Sequence, residues 1–249
     1  MSPEKKKKSY ADTMSDLMEK MAPIFDQPIL ASIHDGFVAM MPILIVGALV
    51  LVVLQFPLCF QNDASCYLES RLPENISGTL WNVFSVTYGL LSVYVLLSIA
   101  YALSRRRGLD PLMPVLFSFL SYVLVATPGI VNGESGTYLD SSGLFTAMVI
   151  AVVVVEVYRF FIKKNIVIKM PEGVPPAISN AFAALIPCAA IAFGWWLIRD
   201  VIGFDLANGL FKVLGAVVPA ASTYVATAIA ETFHAFLWTM GIHGDMTIG

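Results

Sequence analysis

The stretch M-P-E-G-V-P-P-A-I-S-N-A-F-A-A-L-I-P, Met170 to Pro187, joins a rigid polar loop directly to an apolar run. Pro171, Gly173, Pro175 and Pro176 forbid a regular helix before Ala177 and hold the backbone extended or in turns. Ser179 or Asn180 is then placed to cap the helix that follows, by accepting a bond from its free amides. From Ala181 to Ile198 the chain is almost wholly apolar and long enough to cross a bilayer. Asn180 therefore stands where a polar amide enters the membrane, at the mouth of a helix whose amide end points toward it. That position suits a plain loop with a cap as well as the polar lip of a binding site, and the residues alone leave both open.

The composition agrees with a membrane protein. Of 249 residues 57% are hydrophobic and only 13% charged, about half the ~25% of a soluble domain. The net charge of −3 says little about partners, because the charges are segregated at the ends of the apolar runs. No zinc, P-loop or dinucleotide signature is present, so no cofactor and no metal is expected, and nothing points to nucleic acid. Cys188 lies inside an apolar run and reads as packing. Cys59 and Cys66 are close enough to form a disulfide if their loop faces the outside. Lys5 to Lys8 precede a polar, amphipathic stretch and not a short apolar core, so no cleavable signal peptide is expected.

In chain order, Tyr10 to Phe25 carries Met14, Leu17, Met18, Met21 and Ala22 on one helical face and Asp12, Asp16, Glu19 and Lys20 on the other. This is an amphipathic helix for a membrane surface or a neighbouring chain. Ile33 to Leu58 is the first span, opening on His34-Asp35-Gly36 and containing Pro42 and Gly47. A polar loop, Gln61 to Ser77, leads to a second span, Leu80 to Leu103, closed by Arg105-Arg106-Arg107. Leu109 to Thr127 is a third, weaker span, and Pro128 to Ser142 a loop without basic residues. Gly143 to Ile162 is the fourth span, and Ala181 to Ile198 the fifth, ending at Arg199-Asp200. Val201 to Gly215 reads as an interfacial helix. Ala216 to Met240 is apolar but flecked with Pro219, Ser222, Thr223, Thr227, Glu231, Thr232 and His234, and should face protein or a cavity.

Orientation follows from the basic residues. Lys5 to Lys8, Lys20, Arg105 to Arg107, Arg159, Lys163, Lys164 and Lys169 fall on one side, 12 of the 15, leaving Arg71, Arg199 and Lys212 opposite. The positive-inside rule makes the richer side, with the N-terminus and the proline loop, cytoplasmic.

Three groups could carry chemistry. Glu156 and Arg159, three apart on one helix, read as a structural ion pair. Glu231 and His234 have the same spacing and read as a polar packing seam, with a proton relay as the alternative. His243, in W-T-M-G-I-H-G (Trp238 to Gly244), lies between glycines at membrane depth and cannot belong to a plain spanning helix. Gly241 and Gly244 loosen the backbone and allow close approach of a ligand, and broken helices at such depth line cavities or bury against protein. An imidazole there can bind a polar solute, with Trp238 offering a flat apolar face, or serve as a buried structural histidine.

P-E-G-V-P-P-A-I-S-N-A-F-A-A-L-I-P (Pro171 to Pro187) resembles the signature of the membrane-embedded IIC permeases of the bacterial phosphotransferase system, lactose/cellobiose (N,N'-diacetylchitobiose) branch. Trp238 to Gly244 is similar to that family's W-F-F-G-I-H-G, and His34-Asp35-Gly36-Phe37 with Met41-Pro42 and Gly47 to its R-D-G-F…P…G pattern. The resemblance runs over the whole chain, in order. It implies a homodimeric sugar carrier whose early spans form the dimer scaffold, while later spans and two re-entrant hairpins bind sugar and move across the bilayer. A IIB partner, phosphorylated on cysteine, then phosphorylates the sugar, and the IIC chain carries no phosphoryl group itself. It also implies that His243 ligates sugar hydroxyls. His34 departs from the family's arginine, which weakens a charge role there. Asp245 adds a carboxylate beside G-I-H-G. Family members are longer, and the resemblance implies that the second hairpin, with an essential glutamate, would lie outside these 249 residues.

The expectation is thus an all-α polytopic membrane protein with about six membrane helices, an N-terminal amphipathic helix and the start of a re-entrant sugar-binding region. Residues 1–28 form the cytoplasmic helix, 29–200 the five-span scaffold with a cytoplasmic loop at 164–180, and 201–249 the interfacial helix and the opening of a truncated transport region. The expected activity is translocation of a cellobiose- or lactose-type disaccharide across a bacterial inner membrane for phosphorylation by IIB. The expected sugar contacts are Asn180, Trp238, Gly241, His243 and Gly244. The rivals are a non-transporting truncated IIC that dimerises with and regulates a complete one, and an ion-coupled secondary transporter.

Overall fold

The computed structural model describes residues 27–57, 67–126, 138–171, 173–210, 212 and 232. The expected N-terminal helix, the Cys59–Cys66 pair, the Glu231–His234 pair and the whole Trp238 to Gly244 motif lie outside them. Among the described residues the structure is helical, with a lone antiparallel bridge between Pro57 and Tyr67.

Helix α1, Pro28–Leu54, is apolar almost throughout and begins with a proline at its start, where the missing amide costs nothing. His34 and Asp35 consequently sit one to two turns inside the helix rather than at its entry. At ~1.5 Å per residue α1 exceeds the ~30 Å hydrocarbon layer. Its outward face is Val38, Ile45, Leu49, Val52 and Val53. Its inward face presents Gly36 and Gly47, three turns apart. A methyl group on Gly36 would press on the backbone of Ile99, and one on Gly47 on Thr87 and the ring of Tyr88. The bare backbone at both points lets neighbouring helices approach closely.

The second span is not one run. Helix α2, Glu74–Tyr88, and helix α3, Leu91–Arg106, meet at a 41° bend. Ending a helix inside a bilayer leaves amides that must be satisfied by protein. The segment before the fourth span supplies the acceptors. Ser92 N donates to the Leu139 carbonyl at 3.1 Å and Ser92 Oγ to the same oxygen at 2.6 Å. The Tyr122 hydroxyl donates to the Tyr138 carbonyl, with Ser92 Oγ 2.8 Å away. Hydropathy alone made Leu80 to Leu103 continuous because the compensating groups come from residues some forty positions on.

Helix α4, Leu112–Ala126, occupies the place of the expected third span but has 15 residues, fewer than the ~20 that cross a bilayer, and α5, Leu144–Lys163, matches the fourth. The core lies where α3, α4 and α5 meet, with Leu96, Ile99, Leu103, Tyr122, Ile150, Val154 and Val155 all buried. Helix α6, Pro176–Ala183, and α7, Leu185–Trp196, follow, closed by a wider π turn at Leu197–Val201. Together they give an apolar stretch from Ile178 to Val201, which is the fifth span. Val201 thus belongs to that turn, and the expected interfacial helix is helical at 206–210.

The proline loop corrects one expectation. The helix starts at Pro176, not after it, with Pro175 extended at the cap position and no cap bond from a described side chain. Ser179 N already donates to the Pro175 carbonyl, so Ser179 and Asn180 lie inside the first turns and cannot cap it. Proline forbids helix before itself, but at the first helical position its fixed φ favours one.

Candidate functional site

Asn180 is the one expected sugar contact within the described residues. It is solvent-exposed on α6, a short helix whose first amides point back toward the proline loop. Its backbone carbonyl accepts from Ala184 N at 3.1 Å, as expected inside a helix, and no side-chain cap bond is made at the start of α6 among the described residues. Gly173, at φ 104°, turns the loop just ahead of Pro175 in a conformation that only glycine adopts without strain. The loop therefore delivers α6 in a set direction, with Asn180 one turn in from its amide end. The other expected contacts, Trp238, Gly241, His243 and Gly244, lie outside the described residues.

The other helices are tied to one another at both ends. At the end that carries most basic residues, Glu156 joins α5 to α3: Arg107 pairs with Glu156 Oε1, and Arg159 Nη1 donates to Glu156 Oε2 at 3.0 Å. The pair expected from Glu156 and Arg159 is therefore present and structural, with a second guanidinium that spacing could not reveal. Asp35 on α1 accepts from Arg106 of α3, at 2.9 Å from Nε and 2.5 Å from Nη2. A positive charge facing Asp35 thus comes from α3, while His34 Nδ1 is 3.5 Å from the other carboxylate oxygen. At the opposite end Arg199 Nη1 donates to the carbonyls of Leu124 and Val125, at 2.5 and 3.0 Å. It satisfies the final turn of α4 and anchors the fifth span to it.

Among the described residues no cluster of histidine, cysteine or acidic groups could hold a metal ion. Arg105 to Arg107 signalled only an orientation in the sequence, and nothing in their spacing separates Arg106, which binds α1, from Arg107, which binds α5.

Comparison with known proteins bears on what this scaffold belongs to. The family model for the phosphotransferase system, EIIC, matches residues 34–249. The chain belongs to the phosphotransferase system EIIC family. Similar members include the cellobiose-specific EIIC component of Geobacillus stearothermophilus, 33% identical over 91% of this chain and 53% of that protein. The lactose-specific EIICB component of Lacticaseibacillus casei is 28% identical over 94% of the chain and 42% of its own length. The crystal structure of ChbC, the IIC component of the N,N'-diacetylchitobiose-specific system, superimposes with a TM-score of 0.73 at 28% identity, covering 94% of this chain and 58% of ChbC. The chain spans about half the length of the curated relatives it matches. Within this EIIC chain, the bend between α2 and α3 and the paired Glu156 lie among the helices that precede the proline loop, and Ser179 and Asn180 are the polar residues of the helix that follows it.

Proposed function

We propose that this EIIC chain supplies the scaffold and first sugar contacts of a permease that moves a cellobiose- or lactose-type disaccharide across a bacterial inner membrane. A phosphorylated IIB partner modifies the sugar from the cytoplasmic side. The match to ChbC over 94% of the chain carries this reading, together with relatives named for cellobiose and lactose. His243, in the sequence motif Trp238 to Gly244, is the expected hydroxyl ligand, and Asn180 is the expected contact from the proline-loop helix. The N-terminus is cytoplasmic and two copies pair through the early spans, consistent with the basic residues gathered at one end of α3 and α5.

Membranes carrying the protein, supplied with the soluble phosphotransferase components and phosphoenolpyruvate, should convert labelled cellobiose or lactose to its phosphate, and His243→Ala should abolish this. Uptake that ignores phosphoenolpyruvate and collapses with an ion gradient would instead make the protein a secondary transporter.

A further inference from the structure

Between α1, α3 and α4 the surface carries an open hollow of about 840 Å³ that no part of the sugar reading uses. Its rim is Asp35, Arg105 and Arg106, and its walls are Ala39, Leu97, Ala102 and Val115, with Tyr101 and Ser98 on the same face of α3. Leu97, Tyr101 and Arg105 follow one another at four-residue steps, so the apolar wall runs ~12 Å along the helix beneath the arginines. The alanines on facing helices make the concavity. Ser98 Oγ already donates to the Tyr94 carbonyl, so the wall offers it no free donor.

The rim is not neutral. Arg106 gives Nε and Nη2 to Asp35, whose single charge it cancels. Arg105 is exposed and has no ion-pair partner among the described residues. One uncompensated guanidinium thus stands over an apolar trough at the polar end of the helices, where a membrane's head-groups meet its acyl chains. A trough of this kind demands an amphiphile with an anionic head and an apolar tail. Free phosphate would satisfy the rim and leave the wall empty. A zwitterionic lipid would bring a like charge to Arg105.

We infer that this hollow is a binding site for an anionic phospholipid, its phosphodiester on Arg105 and the spare donors of Arg106 and its acyl chain along Leu97, Ala102 and Val115. The inference rests on membership of a membrane family and is independent of which sugar, if any, is carried.

The test is native mass spectrometry of the purified protein titrated with phosphatidylglycerol, phosphatidylcholine or inorganic phosphate. Phosphatidylglycerol adducts should persist where phosphatidylcholine is lost. Arg105→Gln should lower their occupancy roughly fivefold, the size expected for one interfacial basic residue. Ala102→Leu, which fills the trough, should remove them, whereas Lys169→Gln should leave them unchanged. Should Ala102→Leu fail to fold, the Arg105→Gln titration decides alone. Equal binding of the two lipids, insensitivity to Arg105→Gln, displacement by inorganic phosphate, or a shift only in the monomer–dimer balance would each overturn the assignment. Sugar phosphorylation is read separately, so its loss would sink the permease reading and leave the lipid site standing.

Discussion

Glu156 joins α3 to α5 at the end of the helices that carries most basic residues. Its two carboxylate oxygens serve Arg107 and Arg159, and all three side chains are at least two-thirds hidden. Among the described residues Arg159 Nε is itself buried without an acceptor, and no further carboxylate joins the network. Glu156→Gln should lower stability by roughly 1–3 kcal/mol, since it strands two partly desolvated guanidiniums. A thermal melt in detergent measures it, and Arg107→Gln added to Glu156→Gln should cost less than the two separate losses combined. Asn180 makes the opposite case. Lying inside α6 without a cap bond, it should tolerate Asn180→Ala within about 0.5 kcal/mol by the same melt, while sugar phosphorylation by the membranes falls. A large stability loss would mean that its side chain holds the helix start after all.

At the scale of elements, glycine positions report how closely the helices meet. Gly36 lies so near Ile99 that a methyl group would sit 3.0 Å from its backbone nitrogen, and backbone cannot swing aside. Gly36→Ala should destabilise the protein by about 1–3 kcal/mol. Gly78, inside α2, has nothing within 4 Å of the place a methyl group would occupy. There the same change should raise stability by about 0.5–1 kcal/mol, through helix propensity alone. Opposite signs at two helical glycines, read from paired melting curves, test the packing directly. The bend between α2 and α3 depends on Tyr122 and Ser92 meeting the carbonyls of residues 138 and 139. Tyr122→Phe leaves the packing volume and removes a hydroxyl partner, for an expected loss of about 1–2 kcal/mol.

For the whole molecule, the two ends of the bundle differ in charge and in what holds them. Arginine–carboxylate pairs join α1, α3 and α5 at one end, and hydroxyl and carbonyl bonds with Arg199 join the helices at the other. With the native cysteines replaced, Lys169→Cys should react with an impermeant thiol reagent only in inside-out vesicles, and Arg71→Cys only in intact cells with the outer surface open. Labelling of both from one side would reverse or break the proposed orientation.

What the chain's residues determined without help was the solvent and the periods. Five apolar stretches, the basic residues at alternate ends and the Glu156–Arg159 spacing are local or additive properties, and each was legible as such. Two motifs, Pro171 to Pro187 and Trp238 to Gly244, carried the family. What only the tertiary structure decided were the places where a distant residue cancels a local cost. The second span can break at Gly89 because carbonyls of residues 138 and 139 take up its stranded groups. Asp35, near the polar end of α1, is paired with Arg106 from a chain position 71 residues away. Hydropathy sums what each residue pays to leave water, whereas a buried polar group is tolerated only through its partner. The partner is chosen by the fold, so no reading of neighbours along the chain could have named it.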